Sequence, residues 1–454
     1  MDEFDFISPL DYRYFEKEFT VFLSENARIK YQAKVEAALV KALSKQGICS
    51  PKIAKEIEAA CLKVLAKDVY EEEKKTKHDI RALANVIKAN VSGEAKPFVH
   101  FGATSYDIVD TANALRYKDT VNELLLPSLI ELEKEWIKLA EKNAGVVQVG
   151  RTHGQHAVPI TFGFTLAEYV DRLGNRIKEI ERTTNNLTGK FSGAVGAYNA
   201  TSLIVKDPIK LEKDILADLG LKVPNYSTQV IEPEPTQDLL NAVFGAFTVL
   251  ANFSDDMRHL QRSEINEIAE AVSENQVGSS TMPHKRNPIN FENVKSLWKV
   301  FMPRMLTVYM DSITEHQRDL TNSASQRFLP EVFAALVVSS RRLLKVSKGL
   351  IVDKESMQKN LLSSKDLIVA EPLYILLAKY GHPDAHEAVR VLSSRARDEK
   401  QSVIEIIFAD VSLKKYFDKF SKKELILLKN PQLYVGESEK KVKQVCAHWK
   451  KVFL

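Results

Sequence analysis

The segment Gly278–Pro288 combines residue types that suit the binding and deprotonation of an anionic substrate. It contains the hydroxyls of Ser279 and Ser280, cationic side chains that include Lys285, and the neutral amide of Asn287. Because glycine and proline bound the segment, we expect a loop here. The alternative interpretation is a basic surface turn, since short motifs also match by chance.

A second pair of hydroxyls, Thr104 and Ser105, ends the segment Val99–Ser105 and stands just before a predicted helix. Hydroxyls and unpaired backbone N–H groups at the N-terminus of a helix suit a carboxylate or a phosphate. An ordinary N-cap without any ligand is the alternative interpretation.

Two histidines, His153 and His156, lie within the segment Gly150–Pro159. Histidine is the side chain whose unperturbed pKa lies near neutrality, so it suits proton transfer, although a lone histidine is more often structural. No third ligand stands at a spacing that indicates a metal site, so we expect no metal.

Several segments contain cationic side chains of a type that suits an anion. A guanidinium donates two parallel hydrogen bonds to a phosphate, whereas surface ion pairing is the alternative for any one arginine. The residues are the pair Arg13-Tyr14, the run Lys77-His78-Asp79 and the series Arg318, Ser323 and Arg327. Taken alone, the run at 77–79 is equally typical of a charged helix face.

Together these segments resemble the fumarase/aspartase superfamily, whose members eliminate fumarate or carry out related chemistry. Gly278–Pro288 follows its GSSxMPxKxNP signature loop, and the ending His-Lys-Arg-Asn-Pro is similar to the adenylosuccinate lyase and 3-carboxymuconate cycloisomerase branches. The element Arg151–Gly154 favours the lyase branch, because the cycloisomerases typically carry tryptophan at the position of His153. The resemblance extends from Ser8 to about Arg327.

The resemblance implies a β-elimination in which His153 is the general acid and Ser279 the general base. Lys285 and Asn287, helped by Thr104 and Ser105, would stabilise the negative charge that develops on a substrate carboxylate. In the same way His78 would lie beside the substrate phosphate and the acid, and Glu292 would pair with the acid histidine and raise its pKa. Chemistry alone does not separate Ser279 from Ser280 as the base.

The resemblance also implies a set of substrate-binding residues. They are Arg13, Tyr14, Lys77, Asp79, His100, Thr104, Ser105, Thr152, Gln229, Ser280, Asn287, Arg318, Ser323 and Arg327. From the residues alone Asp79 has no role, because adjacent helical residues do not face each other. The segment Glu232–Pro235 departs from the family pattern, which leaves the conformation beside Gln229 open.

The sequence predicts that long helices position these residues. Stretches poor in glycine and proline run over 107–143, 161–190 and 238–276, and apolar residues from Leu240 to Leu260 recur every three or four positions. This spacing predicts a long bundle helix, and no alternating strand series is found. We therefore predict an all-α, three-domain fold: an N-terminal helical domain at 1–106, a central long-helix bundle at 107–350 and a C-terminal helical domain at 351–454.

The composition is that of an ordinary globular protein, with 44% hydrophobic and 27% charged residues. The net charge of +4 and the lack of a basic–aromatic stripe argue against nucleic-acid binding. Three cysteines and the absence of a leader or an apolar span predict a cytoplasmic protein that does not enter a membrane. The resemblance implies a small nucleotide substrate, no cofactor, and a homotetramer whose active sites are shared between subunits.

Two other functions remain open from the sequence. The first is a cycloisomerase acting on carboxymuconate; His153, His78 and the pair Arg13-Tyr14 argue against it, because a diacid without a phosphate does not use a phosphate site. The second is a catalytically inert structural member of the superfamily. The complete set of Ser279, Lys285 and His153 argues for retained chemistry.

Overall fold

The computed structural model describes residues 6–271, 281–282 and 284–454, and it confirms the predicted all-α class. The helices are α1 (Phe19–Phe22), α2 (Glu25–Lys45), α3 (Pro51–Cys61), α4 (Ala66–Thr76), α5 (Asp79–Ala89), α6 (Ser105–Thr120), α7 (Leu126–Lys142), α8 (Phe162–Thr184), α9 (Pro208–Asp218), α10 (Glu234–Leu260), α11 (Ile289–Phe301), α12 (Arg304–Met310), α13 (Ser325–Phe328), α14 (Pro330–Lys348), α15 (Lys354–Ser363), α16 (Lys365–Ile368), α17 (Ala370–Lys379), α18 (Ala385–Glu399), α19 (Val403–Ala409), α20 (Lys414–Phe417), α21 (Lys422–Lys429) and α22 (Ser438–Phe453).

Shorter elements complete the description. The strands are β1 (Val147–Thr152), β2 (Gln155–Thr161), β3 (Ile268–Ala269) and β4 (Ile351–Val352), and they form the antiparallel pairs β1–β2 and β3–β4. Single turns of 3-10 helix occupy Pro9–Asp11, Lys96–Phe98, Thr201–Leu203, Val411–Leu413 and Pro431–Leu433.

The chain divides into two compact units. Unit 1 comprises residues 1–131, 175–251 and 294–342, and unit 2 comprises residues 132–174, 252–293 and 343–454. Helices α7, α8, α10, α11 and α14 contribute residues to both units. The three-domain boundaries drawn from the sequence remain a prediction.

The predicted helical stretch at 107–143 is one continuous helical run from Ser105 to Lys142. Pro127 interrupts the regular hydrogen bonding of an α-helix, because its ring carries no N–H and crowds the carbonyl four residues earlier. The run accommodates it by widening into a π-helical turn at Val121–Leu125, immediately before the proline.

Helix α10 differs from the sequence prediction at both ends. It begins at Glu234, within the segment that departs from the family pattern, and Pro235 is tolerated there because the first helical turn has no use for its missing N–H. It ends at Leu260, where the apolar stripe ends, so the expectation of helix beyond this residue was wrong for 261–271. Residues 272–276 lie outside the described part of the chain.

The expectation of no strands was also wrong. β1 and β2 form a hairpin in which Thr152 pairs with Gln155, and the two turn residues have positive φ, 55° at His153 and 73° at Gly154. Two successive positive φ values give a type I′ turn, whose twist matches that of paired strands. The alternation of Val147 and Val149 was the available strand signal.

Each unit has its own apolar core. In unit 1, α2 buries Ile29, Ala33, Val40 and Leu43 along one face, and Ser24 caps this helix by accepting a hydrogen bond from the Ala27 N–H. In unit 2, Trp136 stacks on Phe253 with their ring centroids 4.2 Å apart. Across the described residues, every helix is too short or too polar to cross a bilayer.

Candidate active-site cavities

A cavity of about 470 Å³ in unit 1 collects many of the predicted substrate-binding residues; we call it the α6 cavity. Its wall comes from the start of α2, one side of α4, the start of α5, one face of α6, and the segments around 229 and 320–330. The predicted residues that line it are Lys77, His78, Asp79, Thr104, Ser105, Gln229, Ser323 and Arg327.

The break between α4 and α5 positions His78. Lys77 ends α4 with a left-handed backbone, φ 52°, and His78 then caps α5 by accepting a hydrogen bond from the Arg81 N–H on Nδ1 at 3.3 Å. A neutral imidazole that accepts on Nδ1 carries its proton on Nε2. His78 therefore offers the cavity wall a donor, next to the side chain of Asp79.

Thr104 and Ser105 stand at the start of α6, as predicted. The Asp107 carboxylate accepts a hydrogen bond from the Thr104 N–H at 2.8 Å and also forms a buried ion pair with Lys190. Its other oxygen accepts from the Gly193 N–H at 3.3 Å, so the position of this helix start is fixed from two directions. Hydroxyls at a helix N-terminus are suited to an anion because backbone N–H groups and the helix dipole add to their field.

The opposite wall carries Gln229, Ser323 and Arg327. The Gln229 N–H donates to the carbonyl of Gln317 at 3.2 Å, so the main chain beside the departure at 232–235 is held in place. Arg327 donates from Nη1 to the Ser323 carbonyl at 2.6 Å, and its Nη2 lies 3.7 Å from the Asp79 carboxylate. This contact joins the two walls of the cavity.

The sequence analysis did not predict several helical residues that line the α6 cavity. Counting along α6 in helical steps from Ser105 leads to Val109, Asn113 and Arg116, and all of them line the cavity. Arg28, Tyr70 and Gln326 line it as well. The available signal was a charged residue, Arg116, between the apolar residues Leu115 and Tyr117.

Four predicted substrate-binding residues of unit 1 are not among those lining the α6 cavity. Arg13 and Tyr14 follow the 3-10 turn Pro9–Asp11, and each donates its N–H to the Pro9 carbonyl. His100 lies 2.6 Å from the carboxylate of Glu36. Arg318 is the fourth, and its role, like that of the other three, stays a prediction.

Arg318 lines a smaller cavity of about 70 Å³ together with Asp110 and Gln326. Its backbone is left-handed, φ 85°, and its guanidinium donates to the Thr314 hydroxyl at 2.8 Å. Asp110 accepts from the Ile231 N–H at 2.9 Å, while burial raises the pKa of its carboxyl to about 6. Gln326 lines both cavities, so the two are neighbours along α13.

The environment of His100 favours its charged form. Burial by itself lowers the pKa of an imidazole, but the neighbouring Glu36 carboxylate outweighs burial and raises the pKa of His100. Glu36 is only 2% exposed, so the His100 ring lies against a buried carboxylate.

In unit 2, the predicted acid His153 occupies the turn of the β1–β2 hairpin, next to Thr152, and both are exposed. The hairpin is anchored below its tip by Glu267, whose buried carboxylate accepts from Arg151 at 2.6 Å and from Gln148 at 2.6 Å. His153 is thus exposed at the turn, while strand β1, which leads to it, is held in place by Glu267.

His156, on the other arm of the hairpin, has a different environment. Its Nδ1 lies 2.6 Å from the Ser364 hydroxyl. Burial and the nearby Arg151 guanidinium lower the pKa of His156, so its neutral form is favoured. Both histidines are exposed, but His156 has a hydrogen-bond partner in Ser364, although only three residues separate it from His153.

A second cavity, of about 820 Å³, lies in unit 2 and is lined by Lys285, Asn287 and Glu292 together with Arg258 and Arg262; we call it the Lys285 cavity. The predicted base Ser279 and its neighbour Ser280 lie outside the described residues. Glu292 lines the Lys285 cavity and His153 does not stand among its lining residues, so their pairing stays a prediction.

The start of α11 sets the position of Glu292. The buried carboxylate of Glu270 accepts hydrogen bonds from the N–H groups of Asn290 and Phe291, each at 3.0 Å, and so satisfies donors at the first turn. Glu292 follows in the same turn and lines the Lys285 cavity. Within the described residues, no group of three or more histidine, cysteine or carboxylate side chains is arranged to hold a metal ion.

Comparison with known proteins identifies the family. Residues 13–301 match the family described as Lyase, and residues 314–433 match the family described as Adenylosuccinate lyase C-terminal. The adenylosuccinate lyase of Pyrococcus horikoshii is 38% identical over 445 residues, which cover 97% of each chain. The N-acetyl-S-(2-succino)cysteine lyase of Enterococcus italicus is 32% identical over 440 residues, 95% of this chain and 94% of that one.

Solved structures share the fold. The 3-carboxy-cis,cis-muconate lactonizing enzyme of Pseudomonas putida aligns with a TM-score of 0.86 at 25% identity, covering 98% of this chain and all of that one. A fumarate lyase from Mesorhizobium sp. BNC1 aligns with a TM-score of 0.84 at 22% identity, covering 96% of this chain and 98% of that one. Because one family match covers more than half of the sequence and relatives above 30% identity span nearly all of it, this chain belongs to the adenylosuccinate lyase family of the fumarase/aspartase superfamily.

Proposed function

We propose that this chain eliminates fumarate from adenylosuccinate, giving AMP, and from the succinylated aminoimidazole carboxamide ribotide SAICAR, giving AICAR. The observation that carries the proposal is the α6 cavity, which gathers eight residues predicted separately from short motifs. Both substrates present two carboxylates and one phosphate, and this cavity offers Lys77, Arg327 and the hydroxyls at the start of α6 to such anions.

The chemistry follows from the charge that develops during elimination. Removal of a proton beside one succinyl carboxylate gives a carbanion whose charge spreads into that carboxylate. We assign its stabilisation to Lys285 and Asn287, helped by Thr104 and Ser105, because fixed donors act strongly where water is excluded. We assign the proton removal to Ser279, whose hydroxyl needs its surroundings to favour the ionised form.

The second step breaks the C–N bond, and the leaving nitrogen requires a proton. We assign this proton to His153, whose exposed place in a hairpin turn leaves it accessible to substrate. In the proposed mechanism Glu292 favours the imidazolium form of His153, and His78 supports the phosphate. The reaction needs no cofactor, because it involves neither redox nor group transfer.

We further propose a cytoplasmic homotetramer whose subunits share active sites. Large apolar side chains on and after α12 support burial by another subunit, since contiguous exposed apolar surface is typical of an interface. Leu306, Met310 and Ile313 are 65%, 68% and 84% exposed. The free thiols of Cys49, Cys61 and Cys446 are typical of a reducing compartment.

A second candidate function comes from the Enterococcus italicus relative, whose name gives N-acetyl-S-(2-succino)cysteine as its substrate. That compound carries a succinyl group but no phosphate. The cationic residues Lys77 and Arg327 on the cavity wall favour the nucleotide, because a phosphate is the group that would neutralise them. A cycloisomerase acting on carboxymuconate is disfavoured for the same reason.

The test is turnover followed by ultraviolet absorbance. Purified full-length protein is mixed with adenylosuccinate, and conversion to AMP is expected. Parallel reactions contain N-acetyl-S-(2-succino)cysteine or carboxymuconate. Turnover of one of these without conversion of adenylosuccinate would replace the proposed substrate, and no turnover of any would favour the inert structural alternative.

Site assignments are tested with matched variants on the same elements. His153→Ala should lose most turnover, whereas His156→Ala, three residues along the hairpin, should retain it, because His156 is bonded to Ser364. Ser279→Ala should be inactive and Ser280→Ala active. The reverse result in either pair would move the acid or the base to the neighbouring residue.

Sharing of active sites is tested by mixing two variants expected to be inactive, His153→Ala and Ser279→Ala, after dissociation and reassembly. If a site takes these two residues from different subunits, random assembly restores about a quarter of the sites. If both residues belong to one subunit, every site keeps one defect and no activity returns. Light scattering on the same samples reports whether the assembly is tetrameric.

A further inference from the structure

One side chain, Gln261, ties the segment that carries Lys285 to the end of α10, which it directly follows. Its amide nitrogen donates to the Arg286 carbonyl at 3.2 Å, and its amide oxygen accepts from the Glu270 N–H at 3.0 Å. A carbonyl and an N–H can be paired by only one orientation of a side-chain amide, so both partners fix this side chain. Gln261 therefore bridges main-chain groups of two segments that are distant in sequence.

Glu270 extends this bridge to the start of α11. The residue is 3% exposed, and its carboxylate accepts from the N–H groups of Asn290 and Phe291 at 3.0 Å each and from the Asn290 side chain at 2.6 Å. The main chain from Arg286 to Asn290 is thus held at both of its ends, at one through Gln261 and at the other through Glu270.

The bond to the Arg286 carbonyl restrains Asn287 directly. The carbonyl oxygen lies in the same rigid peptide plane as the N–H and the Cα of residue 287, so holding this oxygen limits rotation of that plane. Residues 285–288 lie outside any helix or strand, so no regular main-chain hydrogen bonding fixes their position. Lys285 is the other neighbour of Arg286, so the same bond limits the place from which its side chain starts.

Gln261 contributes more to position than to stability. Glu270 is buried and bonds donors in the first turn of α11, so its loss would disrupt that turn. Gln261 is only half-buried and Arg286 is exposed, so water can replace the bond that the Arg286 carbonyl would lose. A substitution of Gln261 therefore tests the position of Lys285 and Asn287 in a protein that remains folded.

We propose that Gln261 is a positioning residue for the elimination, and that it holds Asn287 and Lys285 against the substrate carboxylate on which charge develops. The proposal rests on the proposed function, in which these two residues stabilise that charge. Donors stabilise a developing charge only from a fixed position, and a displacement of about 1 Å costs about a hundredfold in rate. Because this charge develops only as the proton leaves, the loss should appear mainly in kcat and not in KM.

Steady-state kinetics of the full-length protein test the proposal. Gln261→Met removes both hydrogen bonds, and it should lower kcat about tenfold or more while KM stays within about threefold. Gln261→Glu keeps the acceptor for the Glu270 N–H but loses the donor to the Arg286 carbonyl, so it should lower kcat to a similar extent. Wild-type kcat in Gln261→Glu would overturn the role of the Arg286 bond, and wild-type kcat in Gln261→Met would overturn the whole proposal.

Thr248→Val is the matched control, because it also removes two hydrogen bonds from a side chain of α10. The Thr248 hydroxyl accepts from Trp298 Nε1 at 3.1 Å, which joins α10 to α11, and donates to the Phe244 carbonyl at 2.9 Å. This variant should lower Tm at least as much as Gln261→Met and keep the kcat of the wild type. An equal loss of kcat in the two variants would show that Gln261 has only a structural role.

Hydrogen–deuterium exchange separates this proposal from the proposed function, because it needs no turnover. In the unliganded protein Gln261→Met should raise exchange several-fold over residues 284–289, whereas Thr248→Val should leave these amides unchanged. Unchanged exchange there in Gln261→Met would overturn the proposal even if adenylosuccinate is converted. If the wild type does not convert adenylosuccinate, the proposed substrate is rejected, and the kinetics are repeated with N-acetyl-S-(2-succino)cysteine, whose elimination develops the same charge.

Discussion

The buried carboxylate of Glu267 should control both the stability of unit 2 and the positioning of the hairpin. It accepts two hydrogen bonds from Arg151, at 2.6 and 3.2 Å, one from Gln148 at 2.6 Å and one from Asn360 of α15 at 2.8 Å. Its side chain is fully buried and that of Arg151 is 16% exposed. Glu267→Gln keeps the shape but leaves the charge of Arg151 without a counter-ion.

The expected loss follows from that burial. Removing one partner of a buried ion pair costs about 3–5 kcal/mol, and the partial exposure of Arg151 argues for about 3 kcal/mol. For folding units of 150–250 residues each kcal/mol lowers Tm by about 2–4 °C, so the expected fall is about 6–12 °C. Glu355→Gln on the exposed face of α15 is the matched control and should change the free energy of unfolding by less than about 0.5 kcal/mol.

Calorimetry and urea denaturation measure this effect, and a double variant separates charge from packing. Arg151→Met with Glu267→Gln removes both charges, so it should recover at least half of the loss. In turnover assays Glu267→Gln should lower kcat more than it raises KM, because His153 stands two residues from Arg151 at the hairpin turn. A free energy of unfolding within about 1 kcal/mol of the wild type would refute the reasoning.

Arg327→Ala should raise KM for adenylosuccinate about tenfold, the loss typical of a hydrogen bond to a charged group, with little change in kcat; steady-state kinetics would disprove this if KM stayed constant. His100→Asn should lower Tm more at about pH 6 than at about pH 8.5, because the raised pKa of His100 beside Glu36 makes their attraction strongest below the unfolded pKa and lost as pH rises through the folded one. Calorimetry at both pH values checks the sign, and a larger loss at high pH would contradict it. Gly196→Ala should lower the free energy of unfolding by about 2 kcal/mol or more, because at φ +80° its methyl group would lie 2.0 Å from the Ser227 carbonyl oxygen. Gly47→Ala, at φ +78° in open space, should lose only the free energy that a left-handed backbone costs an alanine. Equal losses for the two glycine variants in urea denaturation would show that the clash is relieved.

Helical periodicity predicted the long helices because it records the burial of one face. The stripe from Leu240 to Leu260 lies within α10, and the run Ser105–Lys142 was expected almost in full. The error beyond Leu260 has a simple reason: a lack of glycine and proline permits a helix but does not drive one. The β1–β2 hairpin was missed because its alternating strand signal is only a few residues long. Its formation also depends on His153 and Gly154 adopting positive φ values at the turn, which the sequence pattern does not show.

The candidate site was predictable where short motifs define local structure, and less so where the fold alone brings residues together. Thr104 occupies a helix start that the sequence signals through a capping residue. The break at Lys77 that makes His78 the cap of α5 has no such signal, since the run 77–79 is equally typical of a helix face. Arg116 was missed because its local signal, a charged residue between Leu115 and Tyr117, does not distinguish a cavity from solvent. The contact of His100 with Glu36 spans 64 positions and depends on tertiary packing, which no local motif reports.

The distribution of residues between the two units suggests how relatives with one fold act on different leaving groups. The residues proposed to recognise the phosphate line the α6 cavity of unit 1, whereas His153 and Lys285, proposed for proton transfer and charge stabilisation, belong to unit 2. Fumarate elimination from nitrogen or from sulfur requires the same stabilised carboxylate and a proton for the leaving atom. A relative can therefore keep the residues that act in the elimination, including Thr104 and Ser105, and change its substrate through the other residues of the α6 cavity. Substitutions of Lys77 or Arg327 should then alter KM and substrate choice before they alter kcat.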